Sequence, residues 1–348
     1  MGKYSQLSPL TARVPTPCPP SPTCLPRAAL SNPVYTMDSA FTQEIMDKYD
    51  AFILDQFGVL HNGVSAMDGA VELVNHLANK EGKKLIVLSN TSAPAEKAKL
   101  KLPKLGFNKD DFCGMVTSGE EACRYIQNTY DKGTKCLMFT WDVTIPNSPR
   151  LTALPSAFLE RCGLSVAKSV DEADFLLLHG SEVWFRGDEA GQVSLGNFIN
   201  DGSLEENIDP ILEECLARNL PCISANPDVI VQNPDGGFAY MPGKIGQRYE
   251  AMGGNVRIFG KPEPEHFKAC LQTLGLPADR VCHVGDSLHH DIAGANMAGI
   301  ANIFVTSGIH KKDLGTNFGE LPAKDKVDDL IIKEGMIVPT HVIPAFRM

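Results

Sequence analysis

The chain has 348 residues, 43% of them hydrophobic, and at that length one hydrophobic core usually stops growing, so two domains are expected. A formal net charge of -10 leaves no basic field to draw in a phosphate backbone or anionic lipid, which argues against nucleic acid and membrane surfaces and for a small-molecule partner. The longest apolar runs are about six residues, far short of the roughly 20 needed to span a bilayer, so no transmembrane segment is predicted.

Residues 1–37 hold eight prolines, many Ser and Thr, the bases Lys3, Arg13 and Arg27, and no acid. Such a composition cannot pack a core. Two readings compete: a disordered tail, which leaves the protein cytoplasmic, and an organellar transit peptide, which sends it to a plastid or mitochondrion. Ten cysteines are spread along the chain with no Cys-x-x-Cys, which disfavours structural zinc and suits reduced thiols.

From residue 50, short β-rich apolar runs alternate with helical stretches, the pattern of βαβ units on a parallel sheet. Each run breaks abruptly into polar residues. Ala51 to Leu54 runs into Asp55, Leu85 to Leu88 into Ser89-Asn90, Ile258-Phe259 into Gly260-Lys261, and Val281 to Val284 into Gly285-Asp286. Open parallel sheets bind ligands at the carboxyl ends of their strands, so four such strands delivering Asp, Ser, Lys and Asp to one edge predict a single site. The loop Asp55 to Gly63 contains no Gly-x-Gly-x-x-Gly, which disfavours dinucleotide binding.

Between the second and third runs lie about 165 residues, enough for an inserted domain with strands of its own at Cys136–Thr140 and Phe175–Leu178. The expected architecture is an α/β, doubly wound parallel-sheet (Rossmann-like) core, residues 38–130 and 257–348, with an α/β cap at 131–256.

Asp55, Asp286 and Asp291 would place three carboxylates in one cleft against a single cation, Lys261, and these would not all stay ionised uncompensated. A divalent cation is the natural remedy, and an all-oxygen ligand set beside a phosphate-sized site suits Mg²⁺. Lys261 would balance the nucleophile and the transferring group. The Ser89 hydroxyl and backbone N–H groups after Asp55 would donate to phosphoryl oxygens while Asp55 attacks, giving an aspartyl intermediate.

Asp55-Gln56-Phe57-Gly58-Val59-Leu60, Ser89-Asn90, Lys261-Pro262 and Gly285-Asp286-Ser287-Leu288-His289-His290-Asp291 resemble the four ordered motifs of the haloacid-dehalogenase superfamily. The insert, with Asn226-Pro227-Asp228 and Pro242-Gly243, is similar to the large C2-type cap of the NagD-like class IIA phosphatases. The resemblance spans roughly residues 45–310. It implies Asp55 as nucleophile and metal ligand, the Phe57 carbonyl as a second ligand, Asp286 as a direct Mg²⁺ ligand and Asp291 as a metal-site residue orienting it from close by. Ser89 and Lys261 would act on the phosphoryl group, and the cap would close over the leaving group. Asn90, Asn226 and Asp228 are the expected substrate-binding residues, with Arg186, Lys244 and Arg248 further candidates for the substrate's remote end. A small phosphorylated metabolite is the implied substrate. A homodimer through the cap is compatible with this reading, the sequence itself not fixing the oligomeric state.

One residue departs from the family pattern. Family phosphatases carry a second aspartate two residues after the nucleophile, as acid for the leaving alcohol and base for water, where this chain has Phe57. Three outcomes stay open: a phosphatase with a substitute acid/base, for which His61 is the nearby candidate; a hydrolase whose leaving group needs little protonation, such as an acyl phosphate or, dehalogenase-like, a halide; and a cap-gated metabolite-binding protein with little turnover.

Overall fold

The computed structural model describes residues 33–145, 154–187, 191–232 and 237–348. The chain begins with the strands β1 (Thr36–Met37), β2 (Ala51–Leu54), β3 (Lys84–Ser89) and β4 (Phe112–Thr117). It then runs through β5 (Lys135–Thr140), β6 (Ser165–Val166), β7 (Phe175–Leu178), β8 (Val183–Phe185), β9 (Gln192–Ser194), β10 (Cys222–Ser224), β11 (Ile230–Gln232), β12 (Phe238–Tyr240) and β13 (Val256–Ile258). It closes with β14 (Val281–Gly285), β15 (Ala301–Val305) and β16 (His341–Ile343).

The first sheet is seven-stranded and parallel throughout, in the order β1-β16-β15-β14-β2-β3-β4. Its interior strand β2 is apolar and buried along its whole length, as a parallel strand covered on both faces must be. The two-residue alternation divides its side chains. Phe52 and Leu54, with Leu85 and Val87, meet the Leu73, Val74 and Leu77 stripe of helix Ala70–Asn79. Ala51 and Ile53, with Ile86 and Leu88, meet Phe267, Cys270 and Leu274 of helix Pro264–Leu274 on the opposite face. This is the expected doubly wound core, and the strand order reverses between β2 and β14.

The second sheet has the order β13-β10-β7-β5-β8-β9, with β6 also on β5. Strands β5, β7, β10 and β13 are parallel; β5, β7 and β10 are again covered on both faces, while the edge strand β13 is largely exposed. Leu137, Phe139, Leu176 and Leu178 pack with Leu212, Cys215, Ile245 and Tyr249, while Cys136, Met138, Phe175 and Leu177 pack with Ala122, Ile126, Phe158 and Leu159. Both sheets lie in one compact unit, residues 33–348. The eight described cysteines are free thiols, and all but Cys113 are buried. Among the described residues, no helix is long and apolar enough to cross a membrane.

The structure moves three expected boundaries. Of the expected tail, residues 1–32 lie outside the described residues, but Thr36 and Met37 form an edge strand of the first sheet, parallel to β16, so the core begins before residue 38. Helix Ser118–Thr129, expected in the core, buries Ala122, Cys123 and Ile126 against the second sheet. The Ile258 run is not a core strand at all: β13 pairs in parallel with β10, Ser224 opposite Ile258. An apolar run ending in Gly-Lys carries no label for which of two parallel sheets its edges will join.

Candidate active site

Asp55 follows β2 and Asp286 follows β14, so the strand-order reversal brings both carboxylates to the crevice where open α/β sheets bind ligands. The Asp55 N–H continues the ladder by donating to the Val284 carbonyl (2.9 Å). Asp55, Asp286 and Asp291 are all buried and offer oxygens within 4.8 Å of one another. Lys261, also buried, donates from Nζ to Asp55 Oδ1 and to Asp291 Oδ1, the latter at 2.7 Å. Lys261 thus enters from the end of a second-sheet strand to meet acids borne by the first.

Asp291 is heavily committed. Besides Lys261, its Oδ1 accepts from His283 Nε2 (2.9 Å) and its Oδ2 from the Ser287 N–H (3.0 Å). Burial by itself raises a carboxyl's pKa, but Lys261 and His283 outweigh it and hold Asp291 well below the carboxylate range. Asp286 accepts from the Ile309 N–H at Oδ2 (2.8 Å), and burial with Asp55 and Asp291 close by pushes it well up. Burial likewise lifts Asp55, to about 7, against the pull of Lys261. Lys261 is held fully charged, since Asp291 and Asp55 overcome the burial that would discharge it. Three carboxylates against one ammonium leave an excess of two negative charges when all are ionised. That donor set fits a hard divalent cation, with Asp55 and Asp286 facing it and Asp291 already spent on Lys261, His283 and Ser287.

Two glycines make this approach feasible. A Cβ on Gly58 (φ 77°) or on Gly308 would collide with the Asp286 carboxylate, so the Phe57–Gly58 backbone runs directly against that acid. Ser89 sits at the buried end of β3, one strand from Asp55, and its Oγ accepts from the Thr91 N–H at 3.4 Å.

The other expected residues divide. Asn90 and Asp228 come together at 2.8 Å, and Asp228 also lies 3.6 Å from His290 Nδ1. The Asn226 carboxamide oxygen is taken by the Asp228 N–H (3.1 Å) and its carbonyl by the Ser224 hydroxyl, making it a buried turn former. Arg248 forms a forked pair with Asp209, Lys244 lies over the Tyr240 ring, and Arg186 donates to the Lys168 carbonyl, so these three bases serve the second sheet's own structure. His289 pairs with Glu334.

Phe57 is 43% exposed, with its ring edge-on to His61 at 4.9 Å. His61 is ill suited to replace the absent acid. Its Nδ1 accepts from the Gly63 N–H (3.0 Å), leaving Nε2 to donate to Gln56 Oε1 (3.2 Å), and burial lowers its pKa to about 4.

Two contributors escaped the sequence reading. His283 lies inside an apolar strand, where it reads as a core residue, yet it anchors Asp291. The Gly308-Ile309 turn cradles Asp286, and its signal was present: Ile303-Phe304-Val305 breaks into Thr306-Ser307-Gly308 as the other runs do.

Residues 52–144 match a family described as haloacid dehalogenase-like hydrolase, and residues 258–331 one described as HAD-hydrolase-like. The acid sugar phosphatase of Staphylococcus haemolyticus is 25% identical over 286 residues, 81% of this chain and 92% of that protein. A possible sugar phosphatase of the HAD superfamily from Cytophaga hutchinsonii has a similar structure, with a TM-score of 0.66 and 19% identity over 90% of this chain and 99% of that one. NagD from E. coli K-12 shares the fold with a TM-score of 0.56 and 19% identity, covering 86% of this chain and 97% of its own.

Proposed function

We propose that this chain, which belongs to the haloacid dehalogenase-like hydrolases, is a phosphatase that removes the phosphoryl group of a small phosphorylated metabolite through an aspartyl-phosphate on Asp55. The observation that carries the reading is the Asp55 carboxylate at the reversal point of the first sheet, fixed by the buried Lys261 ammonium and faced by Asp286.

The Asp55 carboxylate attacks phosphorus, and the bond to the leaving oxygen breaks as the bond to Asp55 forms. The Lys261 ammonium, shared between Asp55 and Asp291, neutralises charge on the transferring group, and the Ser89 hydroxyl donates to one of its oxygens. Water then cleaves the acyl phosphate and frees Asp55. Mg²⁺, held by Asp55, Asp286 and the Phe57 carbonyl with Asp291 positioned behind them, would supply Lewis-acid polarisation of a phosphoryl oxygen. The second sheet, whose Asn226 to Asp228 turn reaches the site, acts as the cap that shapes the space for the leaving group.

A specific feature favours a second reading. Phe57 offers no proton to the leaving oxygen, which suits either a good leaving group or a metabolite-binding protein with little turnover. The deciding experiment is phosphate release from a panel of sugar, nucleotide, cofactor and acyl phosphates, with Mg²⁺ and with chelator, for the wild type and Asp55→Asn. Release that needs Mg²⁺ and vanishes in the variant is expected, with sugar phosphates first in line because relatives are named acid sugar phosphatases. Activity confined to acyl phosphates selects the good-leaving-group reading. Ligand-induced stabilisation with no release from any substrate would select the binding protein and overturn the phosphatase.

A further inference from the structure

Asn90 was expected to touch substrate, yet its carboxamide has no donor left to give. Its Oδ1 accepts from the Lys261 N–H (2.7 Å), and its Nδ2 donates one proton to the Lys261 carbonyl (3.1 Å) and the other to Asp228 Oδ1 (2.8 Å). The orientation of the amide follows from its partners, since the carboxylate and the carbonyl can only accept and the backbone N–H can only donate. The turn is shaped around this contact: Gly260 takes φ 115°, and a Cβ there would overlap the Asn90 carboxamide and crowd Pro227 and Ser118. Alongside, the Ser118 hydroxyl lies 3.0 Å from the Thr91 carbonyl and 2.8 Å from the Ala225 carbonyl, joining the loop after β3 to the loop after β10.

Lys261 descends from the second sheet but must place its ammonium on acids of the first. We propose that Asn90 is a positioning residue that clasps the Lys261 peptide from both sides, so fixing where the Lys261 ammonium stands against Asp55 and Asp291, and that Asp228 holds the Asn90 carboxamide in register. Asn90 therefore acts through Lys261 and not on the phosphoryl group. The kinetic consequence rests on the phosphatase reading; the geometric one does not.

The test uses the full-length chain with Mg²⁺. Asn90→Ala should lower kcat about 10- to 100-fold, as a misplacement near 1 Å does, with KM changed by less than about threefold. In a Lys261→Ala background, adding Asn90→Ala should lower kcat/KM by less than about twofold more, because the residue it positions is gone. A KM increase at unchanged kcat, or full additivity of the two substitutions, would overturn the clasp in favour of a substrate contact. A second readout needs no turnover: the side-chain ¹H–¹⁵N signal of the buried Lys261 ammonium, assigned by its loss in Lys261→Ala, should broaden or vanish in Asn90→Ala. Should that variant not fold, Asp228→Ala should shift the same signal, while Asp228→Asn, which retains an acceptor, should leave it in place. A signal unmoved in folded Asn90→Ala, or in Asp228→Ala, would refute the proposal. A wild type without turnover would remove the phosphatase reading and leave the ammonium signal still deciding the clasp.

Discussion

Replacing Asp55, the proposed nucleophile, should make the metal-free protein more stable, and increasingly so as pH rises. Asp55 is buried beside Asp286 and Asp291, and desolvation lifts its pKa from the usual 3.8 to about 7 despite Lys261. Between those two values the folded state keeps the Asp55 proton while the unfolded state releases it. The folded state then binds more protons, so stability falls as pH rises through this window and levels off above pH 7. At about 1.4 kcal/mol per pH unit, the loss is roughly 4 kcal/mol at pH 8 and about 1–2 kcal/mol at pH 5. Asp55→Asn stands in for the protonated acid and escapes the penalty. Urea unfolding of both proteins in chelator at pH 5 and pH 8, followed by circular dichroism, should show the variant's advantage growing by a few kcal/mol between them. Taking the difference between the two proteins cancels the titrating groups remote from the cluster, while Asp286, which Asp55 itself helps to push up, relaxes in the variant and adds to its advantage. Saturating Mg²⁺ at pH 8 should shrink the advantage by stabilising the wild type more strongly. A variant no more stable than the wild type at pH 8, or an advantage that does not grow with pH, would mean that Asp55 is not held as a desolvated carboxylate in a negatively charged cluster.

The same cluster predicts the opposite result for its cation: Lys261→Met leaves Asp55 and Asp291 facing each other without compensation, which should cost about 3–5 kcal/mol in unfolding free energy and about 10²–10³ in kcat. Gly308→Ala would push a methyl group into the Asp286 carboxylate, so the Mg²⁺-dependent rise in melting temperature should be lost while the chelated protein still unfolds cooperatively. Phe57→Asp restores a carboxylate where family phosphatases keep their acid/base and should raise kcat on alkyl phosphates by up to about 10²–10⁴. If turnover of those substrates is unchanged in a folded Phe57→Asp protein, proton supply to the leaving group is not what limits the wild type.

Three of the four strand-end motifs could be placed from sequence because parallel sheets couple pattern to position. A buried run such as Ala51 to Leu54 must stop where the backbone leaves the sheet, and the next residue, Asp55, falls at the carboxyl edge. Val281 to Gly285 delivers Asp286 in the same way. Ser89-Asn90 also follows its expected strand, but the adjacent residues do different work: the Asn90 carboxamide is consumed by Lys261 and Asp228, which local spacing could not have shown.

What the amino-acid sequence determined by itself is whatever follows from periodicity and from the ends of apolar runs: the alternating βαβ architecture, the presence of further strands in the insert, and the identity of the acids and the lysine. The tertiary structure alone decided which sheet each strand joined. Backbone edges pair without regard to side-chain chemistry, so Ile258 lies beside Ser224 and Lys261 reaches Asp55 from the opposite layer. It also decided how Asp291 spends its oxygens, on Lys261, His283 and Ser287, because those partners lie from four to thirty residues away along the chain and meet only when β14, its following turn and the second-sheet linker close on one another.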